Sequence, residues 1–172
     1  MPNTTIEAAL LALNIAASIT NLNDVGTARH SMPFNPSYSF ANGTGANQAN
    51  AGFADVRTLT ASATENLDLS GALLDAFGNT LLFTKIKALV VLAASTNTND
   101  VLVGGAASNG FITPFADATD VIKVKPGGLA VLVAPDANGY AVTAGTGDIL
   151  KVANSAGSTS VTYTIILIGV AT

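Results

Sequence analysis

The chain has 172 residues, 49% of them apolar and only 10% charged, with a formal charge of −4, a single histidine and neither cysteine nor tryptophan. That length holds one domain with a sizeable core plus a short extra element. The composition excludes disulfides, thiolate metal sites and a cysteine nucleophile, and the scattered Lys and Arg residues form no block that would track nucleic-acid phosphates.

Residues 4–20 read TTIEAALLALNIAASIT, with Ile6, Leu10, Leu13 and Ala17 at three- and four-residue spacing and Leu11 and Ile15 widening the stripe. Alanine is abundant, Glu7 stands where a carboxylate favours a helix dipole, and Thr4 or Thr5 can cap. The spacing predicts an α-helix over about residues 6–19, whose apolar stripe must dock on the domain, a sister subunit or a larger scaffold. The segment is too short to cross a bilayer and has no flanking Lys or Arg to hold it on a membrane surface. A secretory-signal pattern is also missing, because no basic residue precedes the apolar run.

Residues 21–54 lack sustained periodicity. Pro33, Pro36 and the stretch ANGTGANQANAG at 41–52 predict a loop or an extended arm. Phe34, Tyr38 and Phe40 interrupt it, and the alternation of Tyr38 with Phe40 allows a short strand or aromatic anchors for a partner. A boundary near residue 53 divides a helix and arm, 1–54, from a domain, 55–172.

In that domain, strands are expected at 56–61 and 64–69, with Val56, Leu59, Leu67 and Leu69 inward, followed by a turn at Gly78-Asn79. KIKALVVLAA at 85–94 reads as a central strand, joined through NTND at 97–100 to a strand at 100–106 as a hairpin. Pro114 breaks the segment 111–115 at an edge or bend. Val121, Ile122 and Val124 lead into a Pro126-Gly127-Gly128 turn, after which Leu129, Val131 and Val133 alternate inward. Segments 140–144 and 148–155 pair across Gly145-Thr146-Gly147. The last segment, 160–171, reads as a strand buried on both faces, with Val161, Tyr163, Ile165 and Leu167 on one side. Roughly eight or nine short strands without a helical crossover predict a mainly β fold: an antiparallel β-sandwich, jelly-roll-like, with a short N-terminal α-helix and extended arm.

Candidate chemistry is sparse. A catalytic triad or zinc site would have to be built on His30 alone, so His30 reads as a loop or interface residue. Glu65 and Asp68 are the nearest carboxylate pair, with no aromatic sugar platform beside them. Asp117, Thr119 and Asp120, and Asn97, Asn99 and Asp100, read as Asx-turns, the alternative being loops that offer carboxylate and carbonyl oxygens to a structural cation, though without EF-hand spacing. Gly104-Gly105 and Gly127-Gly128 lack the sequence context of a phosphate loop. The pairs Lys85/Lys87 and Lys123/Lys125 read as solvated strand faces. No enzyme activity, cofactor or metal is expected.

The stretches FANGTGANQANAGFADVRTLTASATENLDLSG, LLDAFGNTLLFTKIKALVVLAAS and VKPGGLAVLVAPDANGYAVTAGTGDILKVANSAGSTSVTYTIILIG resemble small structural proteins found among tailed-phage genes, over about residues 40–169. In the capsid decoration, or cement, proteins of that kind, a β-sandwich or β-tulip domain sits on the capsid exterior and an N-terminal arm reaches neighbouring subunits. The resemblance implies a non-enzymatic virion structural protein that decorates and stabilises a phage capsid through subunit-bridging contacts. It implies the major capsid protein as partner, a homo-oligomer, commonly a trimer, and neither nucleic acid nor membrane bound. Residues 6–20 and 37–50 would be the docking elements, with Ile6, Leu10, Leu13, Phe34, Tyr38 and Phe40 as interface candidates. The alternative is a tail- or fibre-associated adaptor or receptor-binding β-sandwich module. Tyr38, Tyr140 and Tyr163 exposed on a concave face would favour that alternative.

Overall fold

Alternating apolar and β-branched residues dominate the C-terminal two-thirds of the chain, and such residues suit a pleated surface buried on one side or both. The computed structural model describes residues 6–172, and every regular element among them is a strand. The body contains two sheets. The larger runs in the order β12 (Leu129–Val133), β9 (Thr80–Ala93), β15 (Val161–Ala171), β6 (Ala51–Leu59), and β8 (Ser70–Leu74) and β13 (Tyr140–Ala141) add to β9. The smaller runs β11 (Val121–Val124), β10 (Val101–Gly104), β14 (Ile149–Asn154), β7 (Thr64–Asp68). Leu89, Val91, Tyr163, Ile165 and Leu167 from the first sheet share one buried core with Leu67, Val101, Val103, Leu150 and Val152 from the second.

The expected inward sets of the last strand and of Leu59, Leu67 and Leu69 are buried in that core. Two expectations of facing are corrected. Val56 is 65% exposed, because it pairs with Thr164 on the outer side of the sheet. In β12 the phase is inverted: Ala130 and Leu132 pack on the main core, whereas Val133 packs on the other side and Leu129 is exposed. A short apolar run alternates equally well in either phase, and only the sheet it joins fixes which phase is buried.

The three expected hairpins are corrected as well. β9 pairs with β12 and β15, while β10 pairs with β11 and β14. The segment 94–100 therefore crosses from one layer to the other. The Pro126-Gly127-Gly128 turn likewise links β11 in the small sheet to β12 in the large one, and β13 and β14 also lie in different sheets. These turns reverse the chain between layers, not within one.

The largest correction concerns the N-terminus. Residues 8–42 are strands: β1 (Ala8–Ala12), β2 (Ile15–Asn23), β3 (Gly26–Phe34) and β4 (Ser37–Asn42), with the short β5 (Gln48–Ala49) parallel to β4. The expected helix at 6–19 is thus replaced by β1 and β2, and its expected caps, Thr4 and Thr5, lie outside the described residues. The expected sandwich with an N-terminal helix is therefore overturned: the described chain is all-β, distributed over several sheets, none of which closes into a barrel. The physical reason is long-range pairing. An isolated helix of this length is marginal in water, and the segment 26–42 supplies it with a complete antiparallel ladder. The helical spacing also masked a second period. Ala9, Leu11, Leu13, Ile15, Ala17 and Ile19 alternate strictly, but Ala and Leu at intervening positions hide it.

Candidate functional site: a projecting ribbon and a bare sheet face

The pairs β1–β4 and β2–β3 form one ribbon. Ala12↔Ser37 closes the first ladder, Leu13 N–H donates to the Pro36 carbonyl at 3.0 Å, and Ile15↔Phe34 opens the second without a register shift. The ribbon reverses at Asp24-Val25, where Gly26 takes φ +151°, a conformation that a side chain would oppose. Every residue of β2 and β3 is exposed. At about 3.4 Å per residue, these strands extend the hairpin by about 30 Å.

Residues opposite one another share a face. One face carries Leu11 with Tyr38, Leu13 with Pro36, Ile15 with Phe34, Ala17 with Met32 and Ile19 with His30. The other carries Asn14 and Asn35, Ser18 with Ser31 and Thr20 with Arg29, together with Ala16, Pro33 and the exposed Leu10 and Leu22. Between residues 13 and 36 the first face is therefore the more continuously apolar, and the only charged side chain of β2 and β3, Arg29, lies on the second. At its root the apolar face is covered: Phe40, Ala49 and Ala88 are fully buried, with Ile6, Ala9, Leu11, Val133 and Ile168 packed around them. Ala88, Val133 and Ile168 belong to the outer face of the six-stranded sheet. Asn50 ties this root to the body, its amide exchanging two hydrogen bonds with the backbone of Ala171 at 2.8 and 2.9 Å.

The six interface candidates separate accordingly. Ile6 and Phe40 belong to the root cluster, Phe40 fully buried. Leu13, Phe34 and Tyr38 lie on the uncovered apolar face, and Leu10 is 71% exposed on the opposite one. Ile19 and Met32 were missed, although the alternation Met32, Phe34, Pro36, Tyr38, Phe40 between polar or small residues carries the signal.

A second apolar surface adjoins the root. Leu129, Leu92, Thr164 and Val56 form one rung across the outer face of the large sheet, and Val131, Val90, Ile166 and Ala54 form the next. Leu92, Leu129, Val56 and Ile166 are exposed. A shallow groove beside them is lined by Ala54, Asp55, Ile166 and Ile168 on the sheet and by Leu74 and Asp75 across from it. No Lys, Arg, Asp or Glu occupies either rung.

Charged and polar groups serve the body instead. Glu65 accepts hydrogen bonds from the Arg57 guanidinium at 2.8 Å and from the Tyr163 hydroxyl, and Arg57 also pairs with Asp55 at 2.6 Å. Burial, then the bond to Glu65, pushes the Tyr163 hydroxyl far above the usual phenol range. Desolvation opposes the charge on Arg57, but its bonds to Glu65 and Asp55 raise its pKa overall. Lys87, expected on a solvated face, is buried with its ammonium donating to the Asp136 carbonyl, and burial lowers its pKa. Lys125 and Lys123 reach Asp100 at 3.0 and 4.0 Å. In the loop at 117–120, Asp117 accepts from Thr119 and Asp120 accepts from the Asp117 backbone, so its carboxylates fold the turn. Tyr163 lies in the core, while Tyr38 is on the ribbon.

The site thus pairs one uncharged, largely apolar face of the ribbon with two uncharged apolar rungs of the sheet, an arrangement suited to docking on protein. No protein-family model matches the chain, and neither a curated protein nor a solved structure shows significant similarity to it.

Proposed function

We propose that the chain is a non-enzymatic structural protein of a phage virion, which decorates the capsid exterior and stabilises the shell by bridging neighbouring subunits. The observation that carries this reading is the ribbon: beyond Leu11 and Tyr38 its apolar face projects away with nothing from its own body over it. A two-stranded ribbon is marginal in water, and a contiguous exposed apolar surface marks a docking element. The low charge of the chain supports the same reading, since copies packed side by side repel little. The major capsid protein is the proposed partner of the assembled homo-oligomer.

A cryo-electron reconstruction of the particle that carries this chain tests the proposal. Regular protrusions on the shell, with ribbons lying between neighbouring subunits, are expected. Density confined to the tail or its tip would replace decoration with an adaptor or receptor-binding role.

A further inference from the structure

The root of the ribbon shows what its apolar face fits. Phe40 and Leu11 cover Ala88, Val133 and Ile168 on the outer face of the six-stranded sheet. The same sheet face continues past that contact, one rung to Val131 and Ile166 and a further rung to Leu92 and Leu129, and there it is bare. The ribbon's apolar face also continues past the contact, through Ile15, Phe34, Met32 and Ile19, and is bare too. One chain therefore carries two unpartnered surfaces that are extensions of the two sides of a single packed interface.

We infer that the ribbon of one copy lies on the outer sheet face of a second copy, so that each chain donates one arm and receives one. The inference rests on these two surfaces alone and holds whether or not the assembly is a virion.

Size and charge support a second copy as the occupant. A ribbon about 30 Å long and about 10 Å wide offers a footprint of roughly 300 Å². Four strands about 4.8 Å apart, exposed over a few rungs, offer a receiving face of similar area. Counted on both partners and for two exchanged arms, the buried surface is on the order of 1,200 Å², the lower end of the range for stable interfaces. Neither surface carries a Lys, Arg, Asp or Glu, so contact strands no charge away from water. Ribbon-to-ribbon stacking would leave the sheet face uncovered, whereas arm exchange covers both.

The chain has no cysteine, which makes site-directed cross-linking clean. A mixture of a Met32→Cys chain with a Leu92→Cys chain is oxidised mildly, and a Ser31→Cys chain, with its thiol on the opposite ribbon face, replaces the first in the control. Light scattering on the unmodified protein gives the assembly mass. The expected result is an oligomer, a disulfide between the Met32→Cys and Leu92→Cys chains, and none with Ser31→Cys. Phe34→Ser should then weaken self-association by about tenfold or more while keeping the circular dichroism of the folded chain. Ile19→Ser serves as the second variant should Phe34→Ser fail to fold.

A strict monomer without inter-chain links would overturn the inference and assign the ribbon to a different protein. Linking of Met32→Cys chains only to each other would overturn it in favour of paired ribbons. A doubly substituted chain that closes on itself at monomer mass would show the arm folding back onto its own sheet, and this too would overturn it. A monomer that still binds capsids leaves the proposed function standing without arm exchange, and an oligomer never found on a particle does the reverse.

Discussion

Asn97 and Asn50 act as pieces of backbone. The Asn97 amide accepts from Thr162 N–H and donates to the Thr162 carbonyl, both at 2.8 Å, reproducing a strand rung where the chain leaves β9 to change layers. Asn50 does the same for Ala171. The buried Asn154 donates to the Thr60 and Thr159 carbonyls at 3.0 and 2.6 Å and accepts from Asn99 at 3.0 Å. Replacing Asn154 with Ala removes these three hydrogen bonds from a buried network, although the Thr60 carbonyl keeps Ala63 N–H and the Asn99 amide and Thr159 carbonyl keep each other. It should cost about 1–3 kcal/mol, read as a lower denaturation midpoint with an unchanged slope. Tyr163 sets a pH dependence. Its folded pKa lies above the unfolded value, so its contribution is complete below the unfolded phenol pKa, about 10. Above that pH the unfolded chain loses the proton first and stability falls. Melting curves taken at rising alkaline pH should fall more steeply for the wild type than for Tyr163→Phe. Parallel curves would remove Tyr163 from the explanation. At neutral pH, Tyr163→Phe should cost about 1 kcal/mol, since Glu65 keeps Arg57. Residue-level chemistry was only partly legible in the sequence. Tyr163 reads as inward by alternation, but nothing nearby announces Glu65 or Arg57 as its neighbours, because they arrive from β7 and β6.

At the scale of elements, β15 is the keystone of the large sheet. Apolar on both faces toward its end, it reads as buried on both, but only the side of Val161, Tyr163, Ile165 and Leu167 is fully covered, and Ile166 on the other side is exposed. The strand also contains the sheet's main irregularity. Ile168 pairs with Ala88, but Gly169 pairs with Ile86, and a side chain at Gly169 would drive into the Lys85 carbonyl and the Phe83 ring. Gly169→Val should therefore destabilise by about 2–3 kcal/mol, measured by urea unfolding. Destabilisation below about 0.5 kcal/mol would mean the bulge relaxes freely. The turns at 97–100, 126–128 and 145–147 were legible as turns and illegible as corners. Glycine, proline and asparagine report that the chain reverses. Whether it returns to the same sheet depends on which layer has an open edge, and that is a property of distant strands.

For the whole molecule, the body and the ribbon differ in how they are held. The body encloses a two-sheet core, whereas β2 and β3 have ladder bonds and no covering layer. Amide hydrogen exchange of the dissociated chain should be slowest in β9 and β15 and fast throughout 15–34. Protection of 15–34 should appear only on assembly. Uniform protection of the ribbon in a monomer would contradict that division. Few ion pairs contribute, and those at Asp100 involve lysines whose side chains are 59% and 71% exposed. Raising the salt concentration should consequently move the melting temperature by less than about 2 °C.

By itself the sequence determined that the C-terminal two-thirds is built of strands, which residues of β15 enter the core, and that Cys chemistry is absent. Period-two alternation and composition are local properties, and they survive any topology. Tertiary structure alone decided three things. It made strands of residues 8–23, because a helical spacing rich in Ala and Leu also satisfies alternation once 26–42 pairs with it. It chose which phase of β12 faces inward. It also left β2 and β3 and part of one face of the large sheet without cover, a fact about packing that no single segment contains.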